Sequence, residues 1–170
     1  NGKPVVVGGD PKYGRGVVSA CSYEARAFGL HSAMPIRTAF KLCPQGIYLH
    51  GHGDEYTRYS KTVKNILEQY APLIEQASID EFYLDMTGTQ KMYGSMFGFA
   101  TRLQKEIWDK IGLPISIGIG SNKKIAKIGS DCMKPKGITY IIHNKEKEFL
   151  SPMPVETIPG VGKVMKQSLN

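Results

Sequence analysis

The chain has 170 residues, 41% hydrophobic and 22% charged, with 22 Lys and Arg against 15 Asp and Glu for a net charge of +7. That balance excludes a disordered or collagen-like chain, and no apolar run approaches the roughly 20 residues that a membrane-spanning helix needs. The basic surplus suits a polyanionic partner, nucleic acid or nucleotide phosphates, although a charge of this size also serves solubility alone.

In chain order, Val5-Val6-Val7 predicts a short buried strand that stops at Gly8-Gly9-Asp10-Pro11 and pairs with the stretch from Gly16 to Cys21. The basic loop between them, Lys12-Tyr13-Gly14-Arg15-Gly16, matches neither a Walker A nor a dinucleotide fingerprint and reads as a turn. Ser22 to Gly29 predicts a short helix with Ser22 as N-cap and Gly29 as stop. Tyr23 and Arg26, three apart on one face, can grip a triphosphate, but an exposed Arg beside a packed Tyr has the same spacing. Pro35 to Leu42 predicts another helix. His50-Gly51-His52-Gly53-Asp54-Glu55 has no third ligand at zinc spacing and reads as a loop entering an acidic helix turn.

From Asp54 to Tyr70, Tyr56, Tyr59, Val63, Ile66, Leu67 and Tyr70 recur every three or four residues, the period of an amphipathic helix. A strand is expected from Leu73 to Ala77. Phe82 and Leu84 then alternate with Tyr83 and Asp85, which predicts a half-buried strand with Asp80 and Glu81 at its head. Neighbouring side chains on a regular strand face opposite ways, so adjacent acids serve one site only where the chain turns. Such a pair supplies hard oxygen ligands suited to Mg²⁺ and leaves positions open for water and phosphate; an isolated Asp-Glu more often belongs to a solvated turn. A second long helix carries Met96, Phe99, Ala100, Leu103, Ile107 and Ile111, and Ile115 to Gly120 alternates as a strand whose glycines permit close approach of another backbone. Helix, strand, strand, helix, strand implies an α+β layer, an antiparallel-rich sheet with helices on one face.

Ser121 to Ile128 predicts a helix with Lys123 and Lys127 on one face, followed by Lys134 and Lys136 around a proline turn. A lysine here neutralises a phosphate or decorates a solvated helix end. After a strand over Ile138 to Ile142 and a short helix over Lys145 to Leu150, Ser151 to Pro154 reads as a linker. Ile158-Pro159-Gly160-Val161-Gly162-Lys163-Val164 reads as a hairpin entering a helix, whose backbone N–H groups can bind a nucleic-acid phosphate without reading bases. Cys21, Cys43 and Cys132 are odd in number and far apart, which implies reduced thiols in a reducing compartment.

These blocks in this order resemble the palm and fingers of a Y-family DNA polymerase, closest in pattern to the bacterial translesion group. The residues that carry the resemblance are Gly2 to Gly9, Ser22 to Gly29 with Ser32-Ala33-Met34-Pro35, Ser78-Ile79-Asp80-Glu81, Ala126-Lys127-Ile128 through Lys134-Pro135-Lys136-Gly137, and Ile158 to Lys163. The resemblance implies small α/β fingers over residues 1–52, a ferredoxin-like palm over 53–143 and the start of a helical thumb, a partial helix-hairpin-helix, over 144–170. It implies Asp80 and Glu81 as catalytic ligands of a two-metal Mg²⁺ site, with Tyr23, Arg26 and Lys134 holding the triphosphate of an incoming dNTP. Gly160, Gly162 and Lys163 would lie against the backbone of primer-template DNA.

The family's pattern begins with a further strand that bears another metal-binding Asp, and it ends in a little-finger domain. This sequence opens after that strand, at Asn1-Gly2-Lys3-Pro4, and closes inside an apparent helix at Leu169-Asn170. We therefore expect a piece of a longer bacterial, cytoplasmic polymerase that copies past damaged bases, inactive by itself, whose sliding-clamp contact lies in an absent C-terminal segment. Two rivals share the fold: a non-catalytic relative that binds DNA or recruits a partner, and a metal-dependent nucleotidyl cyclase, which the hairpin at Pro159 to Gly162 fits poorly.

Overall fold

The structure, a computed structural model, describes residues 2–169, and the side chains of Lys163, Val164 and Leu169 lie outside the described set. The chain divides into two units at Tyr56/Thr57.

In the first unit the β-branched run after Pro4 forms β1 (Val5–Gly8). It pairs antiparallel with β2 (Val18–Cys21), Val6 opposite Cys21, with a shift of register between Val7 and Gly8. At that shift a Cβ on Gly8 would stand 2.3 Å from the Val17 carbonyl oxygen, so the close approach requires glycine. α1 (Tyr23–Arg26) starts from Ser22 and is followed by Gly29 at φ +83°. α2 (Ile36–Leu42) follows Pro35, and β3 (Ile47–Leu49) joins β1 in parallel, giving the order β2-β1-β3. β3 escapes the sequence reading because three residues are too few to display a period. Val6, Val18, Ala25, Leu30, Met34, Ile36, Ala39 and Cys43 form a core, to which each large aliphatic adds about 1.5–3 kcal/mol.

α3 (Gly53–Leu67) runs across the division, and its Val63, Ile66 and Leu67 enter the core of the second unit. β4 (Leu73–Gln76) and β5 (Phe82–Asp85) form an antiparallel hairpin in which Gln76 faces Phe82. After α4 (Gln90–Tyr93), a short turn of helix not anticipated from the sequence, Ser95 caps α5 (Met96–Ile111), which ends at Gly112 in the left-handed conformation. Phe99, Leu103 and Ile107 of α5 complete the core with the α3 residues, and Phe82 and Leu84 pack against it from β5 as their alternation predicts. Tyr70, Tyr93 and Phe99 stack edge-on or tilted beside it, with ring centroids 4.8 to 6.1 Å apart.

β6 (Ile117–Ile119), α6 (Lys123–Cys132) and β7 (Ile138–Tyr140) form a crossover unit, and β6 pairs with β7 in parallel. The chain ends through α7 (Glu146–Leu150), a single 3-10 turn at Val155–Thr157 and α8 (Lys163–Leu169).

The fold class is α+β, as the element pattern implies. Its strands are distributed over three small sheets among the described residues, two of whose four pairings are parallel rather than the antiparallel-rich sheet expected. The reason is connection length: the five-residue link between β4 and β5 permits a hairpin, whereas a strand that returns through a helix arrives in parallel. No helix among the described residues is long and apolar enough to cross a membrane.

Candidate active site

The acid pair occupies the link of the β4–β5 hairpin, immediately before β5. Two backbone bonds close this link, since Ala77 and Ser78 both donate their N–H to the Glu81 carbonyl, at 3.0 and 3.3 Å. Ser78 Oγ donates to Asp80 Oδ1 at 2.6 Å and accepts from the Asp80 N–H at 3.3 Å, which binds the first carboxylate to its own turn. The Gln76 amide ties the link to α3, donating to Ser78 O at 3.1 Å and to the buried Ser60 Oγ at 3.2 Å. The two acids therefore lie in a turn, outside the alternation of a regular strand, with Asp80 bonded within the turn and Glu81 facing α6.

Facing the hairpin is α6. Asn122 caps it by accepting from the Ile125 N–H at 3.1 Å. Gly118 of β6 and Gly129 of α6 let strand and helix touch: a Cβ on Gly118 would lie 1.9 Å from the Ala126 carbonyl oxygen. With Ile125, Ile128 and Gly129 buried, Lys123, Lys127 and Asp131 fall on the opposite face at successive turns. Lys123 Nζ reaches Glu75 Oε2 of β4 at 2.6 Å and lies 5.9 Å from the Tyr83 ring centre. Lys127 Nζ contacts Glu81 Oε1 and lies 3.5 Å from Asp131 Oδ2. Burial pulls the Lys127 ammonium toward its neutral form, but the hydrogen bond and charge of Glu81 together with Asp131 outweigh it and leave the pKa above the usual lysine value.

Lys134 follows directly. Its Nζ lies 2.6 Å from Asp131 Oδ1, so an ion-pair series runs from Glu81 through Lys127 and Asp131 to Lys134. The turn that carries it is tight, since a Cβ on Gly137 would fall 2.1 Å from the Met133 carbonyl oxygen. It is fastened to α5 by Gln104 Nε2, which donates to the Lys136 and Ile115 carbonyls at 3.0 and 2.9 Å, and by Lys136 Nζ, 3.6 Å from the Trp108 ring centre.

In the first unit, Tyr23 and Arg26 share the exposed face of α1. The guanidinium carbon stands 5.9 Å from the ring centre and Tyr23 is 53% exposed, which leaves the phenol free of the packed alternative. Ser22 Oγ accepts from the Ala25 N–H at 3.3 Å and the Val5 N–H at 3.1 Å, so the cap also anchors α1 to β1. Near the C-terminus, Gly160 at φ +94° and Gly162 are exposed, the Val161 N–H donates to Ile158 O at 3.0 Å, and the side chain of Lys163 lies outside the described residues.

The structure thus links Glu81 to Lys134 through Lys127 and Asp131, while Asp80 is bonded within its own turn to Ser78. Lys127 and Asp131 are the missing links. Their spacing with Lys123 and Lys134 was a usable signal for a single stripe, but the contact with Glu81, 46 residues away, was not.

Two adjacent carboxylates in a constrained turn are the donor type that suits a hard divalent ion, which takes one or two carboxylates and completes its sphere with water and phosphate. The chain belongs to the impB/mucB/samB family, whose pattern matches residues 1–131 and which falls within the Y-family polymerases. It is 47% identical over 169 residues to the DNA polymerase IV of Listeria monocytogenes serotype 4b (strain CLIP80459), covering 99% of this chain and 47% of the relative. It is 44% identical over 169 residues to the DNA polymerase IV of Clostridium perfringens (strain SM101 / Type A), with the same coverage. Among solved structures it superimposes on DinB from Sulfolobus solfataricus with TM-score 0.89 at 34% identity, covering 99% of this chain and 50% of that one. An insertion ternary complex of Dbh DNA polymerase gives TM-score 0.87 at 35% identity, covering 99% and 50%. The chain spans about half the length of the curated relatives it matches.

Proposed function

We propose that this chain supplies the fingers, palm and first part of the thumb of a DNA-directed DNA polymerase that copies past damaged bases in the bacterial cytoplasm. In this reading the fingers span residues 1–52, the palm 53–143 and the thumb begins at 144. The observation that carries it is the ion-pair series from Glu81 to Lys134, which joins a carboxylate suited to metal with a cation suited to phosphate.

Asp80 and Glu81 hold Mg²⁺ as hard, constrained oxygen donors, and Ser78 keeps the Asp80 carboxylate oriented. A divalent cation held by Asp80 and Glu81 would supply acidification of the primer 3′-hydroxyl and charge stabilisation on the departing pyrophosphate. Tyr23 and Arg26 grip the triphosphate of the dNTP, the guanidinium through a fork of N–H donors and the phenol through one O–H. Lys134 offers a point charge suited to a nucleotide phosphate. Gly160 and Gly162 allow the primer-template backbone to approach their N–H groups, and Lys163 neutralises a phosphate beside them.

The test is Mg²⁺-dependent primer extension by this chain and by the same chain within a polypeptide of the relatives' full length. We expect extension from the longer protein, little from the chain alone, and a drop of about 10³-fold or more on Asp80→Ala or Glu81→Ala. DNA binding without incorporation under any divalent metal would assign the acid pair a structural role and favour a non-catalytic relative.

A further inference from the structure

In the series Glu81–Lys127–Asp131–Lys134, one ammonium lies between two carboxylates on different elements. Lys127 Nζ contacts Glu81 Oε1 of the hairpin, and Asp131 Oδ2 waits 3.5 Å away on its own helix, one turn on. The Lys127 side chain is only 23% exposed, so an ammonium deprived of its carboxylate there is poorly compensated by water. Asp131 has its second oxygen on Lys134 at 2.6 Å, which holds the carboxylate in place while leaving Oδ2 available. A cation and a lysine ammonium at contact distance on the same carboxylate repel one another, so Lys127 as it stands opposes metal binding at Glu81.

We propose that Lys127 is a positioning residue that exchanges carboxylates, holding Glu81 when no divalent cation is bound and passing to Asp131 when one arrives. The inference rests on Glu81 being a metal ligand. Lys127 thereby keeps Glu81 ordered and charge-balanced in the free protein, and Asp131 is the acceptor that makes release inexpensive. Partly exposed ion pairs are weak, so the exchange tunes metal affinity by a few-fold rather than switching it.

The full chain can be tested with Mn²⁺ alone, its free concentration read by electron paramagnetic resonance. Glu81→Gln should weaken binding about 10-fold, and Lys127→Met should tighten it about 3- to 10-fold. Lys123→Met removes the same charge one turn away, where it pairs with Glu75, and should change affinity less than about 2-fold, which separates the contact from net charge. Asp131→Asn should weaken Mn²⁺ binding about 2- to 5-fold in the native background and have no effect beside Lys127→Met. Lys127→Arg should restore both the native affinity and its sensitivity to Asp131→Asn. Equal effects of Asp131→Asn in the two backgrounds, or equal effects of Lys127→Met and Lys123→Met, overturn the exchange while leaving the metal site intact. Mn²⁺ binding indifferent to Glu81→Gln overturns the metal reading and the exchange with it.

Discussion

In the first unit, Tyr23 and Arg26 stand on a helix of four residues, and among the described residues Arg26 meets an aromatic ring and no carboxylate. In the second, Glu81, Lys127, Asp131 and Lys134 are joined end to end by ion pairs. An exposed guanidinium without a carboxylate can accept an anion with little to give up beyond its hydration. A lysine already paired takes a further anion only by giving up part of its contact with a carboxylate. The supports differ as well. α1 is tied to β1 by one serine bonded to two backbone donors and sends Ala25 into the first core, whereas the hairpin packs Phe82 and Leu84 against a larger mixed aromatic and aliphatic core.

Breaking each core in turn is the strongest way to test whether these regions stand on independent supports. Ile36 in the first unit and Ile107 in the second are both fully buried, and truncating either to Ala should cost about 3–4 kcal/mol through lost burial and a residual cavity. Hydrogen exchange by mass spectrometry should then show Ile36→Ala loosening β1, β2 and β3 while sparing α5, and Ile107→Ala doing the converse. Loosening of both units by either substitution would mean that the two cores unfold as one.

A smaller perturbation isolates the support of α1. Ser22→Ala removes the acceptor for the Ala25 and Val5 N–H groups and should cost about 1–2 kcal/mol, read as a lower midpoint in urea. If α1 serves the triphosphate, the same variant in the longer protein raises KM for dNTP more than it lowers kcat.

The smallest effect concerns the aromatic cluster of the second unit, where Tyr70 donates its O–H to Glu106 Oε2 at 2.5 Å and Lys110 contacts Glu106 Oε1 at 2.5 Å. Lys110 and then Tyr70 hold the Glu106 carboxyl below the usual glutamate range, and the same carboxylate raises the Tyr70 phenol above its ordinary value. A depressed folded-state carboxyl contributes stability above its unfolded pKa and loses it as pH falls through the folded one; a raised phenol contributes below its unfolded pKa and loses it as pH rises through the folded one. Tyr70→Phe should therefore cost about 1 kcal/mol on the plateau between the ordinary glutamate and tyrosine values, and less on either side. Thermal melts across pH would show the two profiles converging in acid and in strong base; parallel profiles would assign the cost to ring packing alone.

Much of this molecule was written locally. The Val5–Val7 strand, the cap at Ser22, the stripe of α5 and the alternation of Phe82 and Leu84 follow from interactions within a few residues, and the structure holds them where the sequence places them. Of the α3 stripe only Val63, Ile66 and Leu67 are buried, whereas Tyr56 and Tyr59 are exposed and the helix stops before Tyr70. The candidate residues were legible for the same reason, because Asp80-Glu81 before a strand and Tyr23 with Arg26 on one helical face are short-range patterns. Tertiary structure alone decided which strands pair and in which direction, since β3 meeting β1 and β6 meeting β7 depend on how crossovers pack. It also decided which lysine answers Glu81. Lys123, Lys127 and Lys134 are alike as residues; the close approach of β6 and α6 at Gly118, with the buried Ile125 and Ile128, sets the face of α6 that the hairpin meets. Charge pairing between distant segments depends on position in space, and nothing in the spacing along a chain encodes it.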